Sequence, residues 1–120
     1  MIFTKLFGTK SDREVKKLAP TIMKINQLYE SFSSKTDEDL VNRTNELRKF
    51  VINSREEKEQ SLPDDMDRKQ RNVEVLKAEQ GSLDFIMEEA FAIVKETCRR
   101  MSGSSWRVSG QEITWEMVPY

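Results

Sequence analysis

The side chains that most often carry catalysis are scarce in this chain of 120 residues. It contains no histidine, which removes Ser–His and Cys–His nucleophile pairs and the usual zinc-ligand spacings. Its single cysteine, Cys98, lies beside apolar positions of a predicted helix, where a thiol most often serves as inert packing. The sequence therefore predicts no catalytic residue and no metal site in this chain.

Carboxylates and glycines also lack a pattern suited to chemistry. Six acidic side chains crowd one polar, flexible stretch, a poor setting for acid–base catalysis: Glu56, Glu57, Glu59, Asp64, Asp65 and Asp67. The four glycines are scattered, and Gly8-Thr9-Lys10-Ser11 lacks the earlier glycine and the preceding buried strand of a phosphate loop. We therefore predict no cofactor-binding residue in this chain.

The overall charge and hydropathy restrict the function further. With 20 basic and 21 acidic side chains the net charge is −1, which argues against a protein held to nucleic acid by phosphate contacts. No apolar run approaches the roughly 20 residues that a membrane-spanning helix needs. The lone cysteine fits a reducing compartment. We expect a cytoplasmic protein without a nucleic-acid partner, and a small nucleic-acid binder built on a hairpin is the least favoured alternative.

Basic charge is concentrated at the N-terminus. Residues 1–7 are apolar enough for one or two helical turns, a composition typical of a short interfacial anchor. A frayed terminus, or a segment folded back on its own domain, explains the same composition equally well. The anchor interpretation predicts a docking set that contacts a membrane or channel: Ile2, Phe3, Lys5, Leu6, Phe7, Lys10, Arg13, Lys16 and Lys17.

Capping patterns predict two N-terminal helices. Ser11 with Glu14 has the spacing of a capping box before a helix over 12–32. Pro20 interrupts that helix and predicts a kink or break at its position.

The second helix and the segment after it differ in character. Thr36 with Asp39 predicts a capping box before a helix over 37–53. Residues 54–81 contain few apolar side chains, and Pro63 marks a turn. We interpret 54–81 as a charged, solvated connector that is partly disordered, in which Arg68 to Gln80 can form a helix.

A third amphipathic helix spans residues 82–103. Ser82 is its predicted N-cap, and Gly103 can adopt the left-handed conformation that ends a helix. One face is apolar and requires a partner: Leu83, Ile86, Ala90, Val94 and Met101.

After this helix the periodicity changes to alternation around Ser109-Gly110, which predicts a small β-hairpin within residues 104–120. Because two strands alone are marginally stable in water, the hairpin should pack on a helix or on sequence absent here. The predicted fold is mainly α, with three or four amphipathic helices and a small C-terminal hairpin. The predicted segments are 1–10, 11–53, 54–81, 82–103 and 104–120.

The third helix also carries a specific sequence pattern. It reads Leu-x-x-Ile-x-x-Glu-Ala-Phe-Ala-x-Val-Lys-Glu from Leu83, followed by Cys98-Arg99-Arg100 and Gly103. This pattern resembles the helix that precedes the ATP-binding motifs in the SecA family, the motor ATPases of bacterial preprotein translocation. Three further segments resemble the family in the same order: 7–14, 25–30 and 35–48.

The resemblance implies that this chain is an N-terminal segment of a SecA-type ATPase and an incomplete part of an α/β motor domain. The complete family member is expected to bind ATP and Mg²⁺ and to move preproteins through the Sec channel. It is expected at the inner face of the cell membrane, peripherally associated with anionic lipid, as a possible homodimer. Here the helical segments would brace the nucleotide-binding domain.

Two features depart from the family pattern. The connector 54–81 is longer and more charged than expected, and residues 104–118 look like an insertion. Tyr120 stands where family members have the aromatic residue that precedes Asp-Val-Gln and the Gly-x-Gly-Lys-Thr phosphate loop, so no catalytic residue of the family has a counterpart here. The alternative interpretation is a stand-alone helical adaptor, without catalytic activity, that binds a partner protein through its apolar stripes.

Overall fold

The computed structural model describes residues 8–116, which form three helices and one hairpin. They are α1 (Lys10–Phe32), α2 (Asp37–Ser61), α3 (Arg68–Met101), β1 (Ser105–Val108) and β2 (Gln111–Thr114). The predicted fold class, mainly α with a small C-terminal hairpin, is confirmed. Within the described range, no helix combines the length and apolar character required to cross a bilayer.

Capping boxes begin α1 and α2. The predicted box of α2 is confirmed: the Asp39 N–H donates to the Thr36 hydroxyl (3.1 Å) and the Thr36 N–H donates to the Asp39 carboxylate (2.9 Å). The predicted box of α1 is wrong by two residues, because Thr9 and Asp12 form it with the same spacing. Asp12 also accepts the Thr9 hydroxyl at 2.8 Å, a third bond that fixes the helix start upstream of Ser11.

Helix α1 runs through Pro20 without the break that the sequence predicted. Proline lacks only one backbone N–H, so the carbonyl four residues earlier loses its helical partner. Both Pro20 and Lys16 lie on the exposed part of α1, where water can bond that carbonyl. The apolar contacts of α1 further along its length then hold the helix together.

The prediction of a partly disordered connector over 54–81 is wrong for all but the turn between α2 and α3, whereas the helix expected from Arg68 to Gln80 is present as the start of α3. Residues 54–61 extend α2 and residues 68–81 begin α3, so the two helices form an antiparallel pair. Salt bridges join the polar stretches: Arg55 to Glu79 (3.8 Å) and Lys58 to Glu74 (3.9 Å). Charged side chains therefore pair across the helices here, whereas composition alone suggested solvated chain.

The turn itself is held by one arginine. The guanidinium of Arg71 donates to the backbone oxygens of Glu59 (3.1 Å) and Pro63 (2.5 Å). These carbonyls lie at the end of α2 and in the turn, where helical partners are missing. Arg71 thus closes the helical hairpin.

Ser82 does not cap a helix, which corrects the predicted start of the third helix. It lies buried inside α3, and its hydroxyl donates to the Glu79 oxygen at 2.8 Å. The N-cap is Asp67, which accepts the N–H groups of Lys69 and Gln70. The sequence could not exclude Ser82 because a helical serine and an N-cap serine differ only in which backbone group they bond. The predicted end is close to the observed one, since Gly103 has φ +82° just beyond α3.

A small core lies where the C-terminal half of α1 and the N-terminal half of α2 meet α3. Its buried members are Phe32, Leu40, Leu47, Ala92 and Ile93. Partly buried apolar residues of α1 and α3 pack against them: Ile25, Leu28, Tyr29 and Ile86. Lys95 joins α1 to α3 as well, since its ammonium donates to Asn26 (2.9 Å) and lies 4.4 Å from the ring centre of Tyr29.

The predicted hairpin is confirmed around Ser109-Gly110. Strands β1 and β2 are antiparallel, with Trp106 opposite Ile113 and Val108 opposite Gln111. Ser109 and Gly110 both have positive φ (49° and 79°), as a two-residue hairpin turn requires.

Candidate functional site

The basic end of α1 is the first candidate surface. Four members of the docking set lie on it and are exposed: Lys10, Arg13, Lys16 and Lys17. At 100° per residue they fall within about 120° of the helix circumference, so they share one side of α1. The Lys17 ammonium lies 3.1 Å from the Glu14 carboxylate, and both side chains are exposed. The other five members, Ile2, Phe3, Lys5, Leu6 and Phe7, lie outside the described residues.

An exposed apolar stripe runs along the other side of the same helix. Val15, Leu18 and Ile22 are 60%, 55% and 49% exposed. The stripe continues into Ile25 and Tyr29, which pack against the core. The N-terminal half of α1 therefore carries apolar and basic sides that no other described element covers.

The second candidate surface is an apolar groove between α2 and α3, of about 530 Å³. Its floor consists of buried or half-buried side chains of both helices: Leu47, Val51, Ile86, Ala90, Ile93 and Cys98. Its rims are more exposed: Thr44, Arg48, Ile52, Leu83, Val94 and Thr97. The apolar face predicted for the third helix thus contributes Leu83, Ile86, Ala90 and Val94 to this groove, and the structure leaves the groove open. Met101, the last member of that face, lies further along the same trough, which extends to Ser104.

A charged cluster closes the end of this helical unit. The Glu96 side chain is fully buried and accepts two bonds from Arg99 (2.9 and 2.7 Å) and one from Arg100 (2.8 Å). Arg100 then reaches the corner between α1 and α2, where it donates to the Phe32 oxygen (3.0 Å), the Lys35 oxygen (2.6 Å) and the Asp37 carboxylate (2.6 Å). We call Glu96, Arg99 and Arg100 the corner cluster.

Hydrogen bonding dominates the electrostatics of the corner cluster. The bonds from Arg99 lower the pKa of Glu96 most, burial opposes them, and Arg100 lowers it again, so that the pKa falls from 4.5 to about 2. Glu96 is therefore a structural anion. The sequence analysis missed this role of Glu96, although its i, i+3 and i+4 spacing to Arg99 and Arg100 was a usable signal.

The described residues offer little for metal or acid–base chemistry. Across residues 8–116, no three His, Cys, Asp or Glu side chains are grouped so as to hold a metal ion. The acidic residues singled out above lie near the α2–α3 turn, and those of α2 and the turn face solvent.

Comparison with known proteins identifies the family. The model of the SecA DEAD-like domain matches residues 3–113. The chain belongs to this SecA family. The protein translocase subunit SecA of Prosthecochloris aestuarii is 39% identical over an alignment of 138 positions, gaps included, which covers 99% of this chain and 13% of that relative. The SecA subunits of Chlorobium limicola and Chlorobaculum tepidum are 38% and 33% identical over alignments of 137 positions, with the same coverage. No solved structure matches significantly.

The extent of these matches bears on the hairpin and on the rest of the protein. Because the matches to the SecA relatives span 99% of this chain, the hairpin lies within the matched region. The chain spans only about 13% of the length of the curated relatives it matches. Most of a SecA relative, and with it most of its surface, has no counterpart in residues 1–120.

Proposed function

We propose that this chain is the N-terminal portion of an ATP-driven SecA-type translocase subunit, in which it docks the motor on the membrane or Sec channel and braces the nucleotide-binding domain. The basic side of α1 carries the docking proposal. The open groove between α2 and α3 supports the bracing proposal, because an apolar trough with half-exposed rims gains free energy when another surface covers it. ATP, Mg²⁺, the preprotein and the Sec channel would belong to the complete protein.

Docking on a membrane follows from charge and position. The four cations lie together on one exposed side of α1, and each basic group close to an anionic bilayer contributes on the order of 1 kcal/mol of binding free energy. We therefore propose that the protein is cytoplasmic and lies at the inner face of the cell membrane as a peripheral protein.

Neutralising the basic side of α1 tests the docking proposal. We expect replacement of Lys10, Arg13, Lys16 and Lys17 by glutamine to weaken co-sedimentation with phosphatidylglycerol-containing vesicles at least tenfold at low salt. The reason is that the contribution of each of these four basic side chains to the binding free energy is lost. Wild-type binding should fall as salt is added, since the attraction is screened.

A matched control removes the same charge elsewhere. Arg48, Lys49, Arg68 and Lys69 are exposed on α2 and α3, and their replacement by glutamine changes the net charge equally. This variant should bind vesicles nearly as the wild type does. Equal losses of vesicle binding in both variants would mean that binding depends on the net charge of the protein and not on the basic side of α1. Unchanged binding in the α1 variant would exclude the anchor role.

A further inference from the structure

The C-terminal hairpin has one apolar and one polar face. Alternate residues of a strand share a face, so the pair of Trp106 and Ile113 lies on the same side as Val108 and Trp115. The ring centres of Trp106 and Trp115 are 6.2 Å apart, which agrees with both side chains lying on this face. Trp106, Val108 and Ile113 are 39%, 46% and 42% exposed. The opposite face is polar, and there the Ser105 hydroxyl donates to the Glu112 carboxylate at 3.0 Å.

Among the described elements, three pairs pack extensively: α1 with α3, α2 with α3, and β1 with β2. The apolar face of the hairpin is thus left largely to solvent, although an isolated pair of strands is only marginally stable in water. In addition, the buried Nε1–H of Trp115 donates to no acceptor in the described part of the chain. Unsatisfied buried donors are rare in folded proteins. Both observations indicate that the hairpin has a second, better-packed position.

The groove between α2 and α3 begins at the base of this hairpin. A cavity that includes Ser104 and Met101 shares Thr44, Arg48 and Thr97 with the apolar groove, so one continuous trough leads away from the hairpin. Only Ser102, Gly103 and Ser104 connect α3 to β1. Gly103 has φ +82°, and its N–H donates to the Trp115 oxygen (3.0 Å), so the backbone pairing of the hairpin reaches Gly103 and a joint can lie only at Ser102 and Gly103.

We infer that the hairpin is a strap that closes over the groove between α2 and α3 when the surface proposed to be braced there is absent, with Trp106 and Val108 packed against Val94 and Cys98. The reach is sufficient. Val108 lies four residues beyond Ser104, or about 13 Å along a strand, and Cys98 lies three residues before Met101, the last residue of α3, or about 4.5 Å along a helix. In the closed position the side-chain oxygens of the groove, such as that of Thr97, can accept the free indole N–H.

Disulfide trapping tests the closure, because Cys98 is the only cysteine and lines the groove. In the full chain, Val108→Cys puts a second thiol on the apolar face, and Arg107→Cys puts one on the polar face as a matched control. With diamide as oxidant, Val108→Cys should form an intramolecular disulfide at least tenfold faster than Arg107→Cys, detected by peptide mass mapping. Equal rates for the two variants would overturn the proposal, and so would a disulfide that forms only between two chains.

Tryptophan fluorescence provides an independent readout, because Trp106 and Trp115 are the only tryptophans. Closure predicts that Val94→Asp, which puts a charge on the groove rim, shifts the emission to longer wavelength and raises acrylamide quenching. Leu76→Asp is the control, since Leu76 is 62% exposed and lies outside the groove. Both residues are exposed, so neither change should unfold the helices. Emission that is the same in both variants and the wild type would contradict closure.

Discussion

Replacing Glu96 by glutamine is expected to lower the free energy of unfolding by about 2 kcal/mol, since an amide cannot replace the charge-assisted hydrogen bonds that the buried carboxylate accepts from Arg99 and Arg100. Glu96 is fully buried and holds both Arg99 and Arg100. Without it, Arg100 also loses its orientation toward the carbonyls of the corner between α1 and α2. Urea unfolding followed by circular dichroism measures the change. Glu57→Gln, at an exposed position of α2, is the control and should be nearly neutral.

The same carboxylate gives the protein a defined acid sensitivity. Folding lowers the pKa of Glu96 from 4.5 to about 2, so the stabilisation is fully present above pH 4.5 and is lost as the pH falls toward 2. The difference in stability between wild type and Glu96→Gln should therefore shrink through this range. A difference that stayed constant from pH 6 to pH 2 would contradict the assignment of Glu96 as an ionised, buried partner of the arginines.

Replacing Leu47 by alanine is the second change with a large expected effect, a loss of about 3 kcal/mol of unfolding free energy. Leu47 is 7% exposed, belongs to the buried core and also lines the floor of the groove between α2 and α3. Its truncation removes apolar burial and leaves a cavity that rigid helices cannot fill.

Val41→Ala is the matched control for Leu47→Ala. Val41 lies on the same helix but is 59% exposed, so its truncation should change the free energy by less than about 1 kcal/mol. The urea concentrations at the midpoint of unfolding, compared between the two variants, test this prediction. Equal midpoints would mean that the core described around Phe32, Leu40 and Ile93 does not hold the helices together.

The sequence predicted those parts of the fold that depend on local signals. The capping box of α2, the hairpin turn at Ser109-Gly110 and the end of α3 near Gly103 each rest on residues a few positions apart. The start of α1 was misplaced because Thr9 and Ser11 offer equivalent patterns, and local spacing cannot choose between them.

The parts that sequence reasoning missed depend on contacts between distant segments. Residues 54–81 appeared solvated because their charges have no visible partners along the chain, whereas Arg55 and Glu79 meet only when the two helices pair. The link from Arg100 to the Lys35 oxygen spans 65 positions and has no sequence signature. The exposure of the docking-set cations on α1 follows from their polarity and could be predicted. The groove between α2 and α3 forms only when the two helices pack, so the sequence alone could not predict it.

The SecA-type function is tested most directly by ATP-driven translocation with a chimera. The segment of the Prosthecochloris aestuarii SecA that aligns with this chain would be replaced by residues 1–120, and preprotein import into inverted membrane vesicles measured. We predict that the chimera imports preprotein in an ATP-dependent manner, whereas the same relative without that segment does not. A stable chimera that binds ATP but imports no more than the deletion variant would contradict the account and favour a stand-alone adaptor.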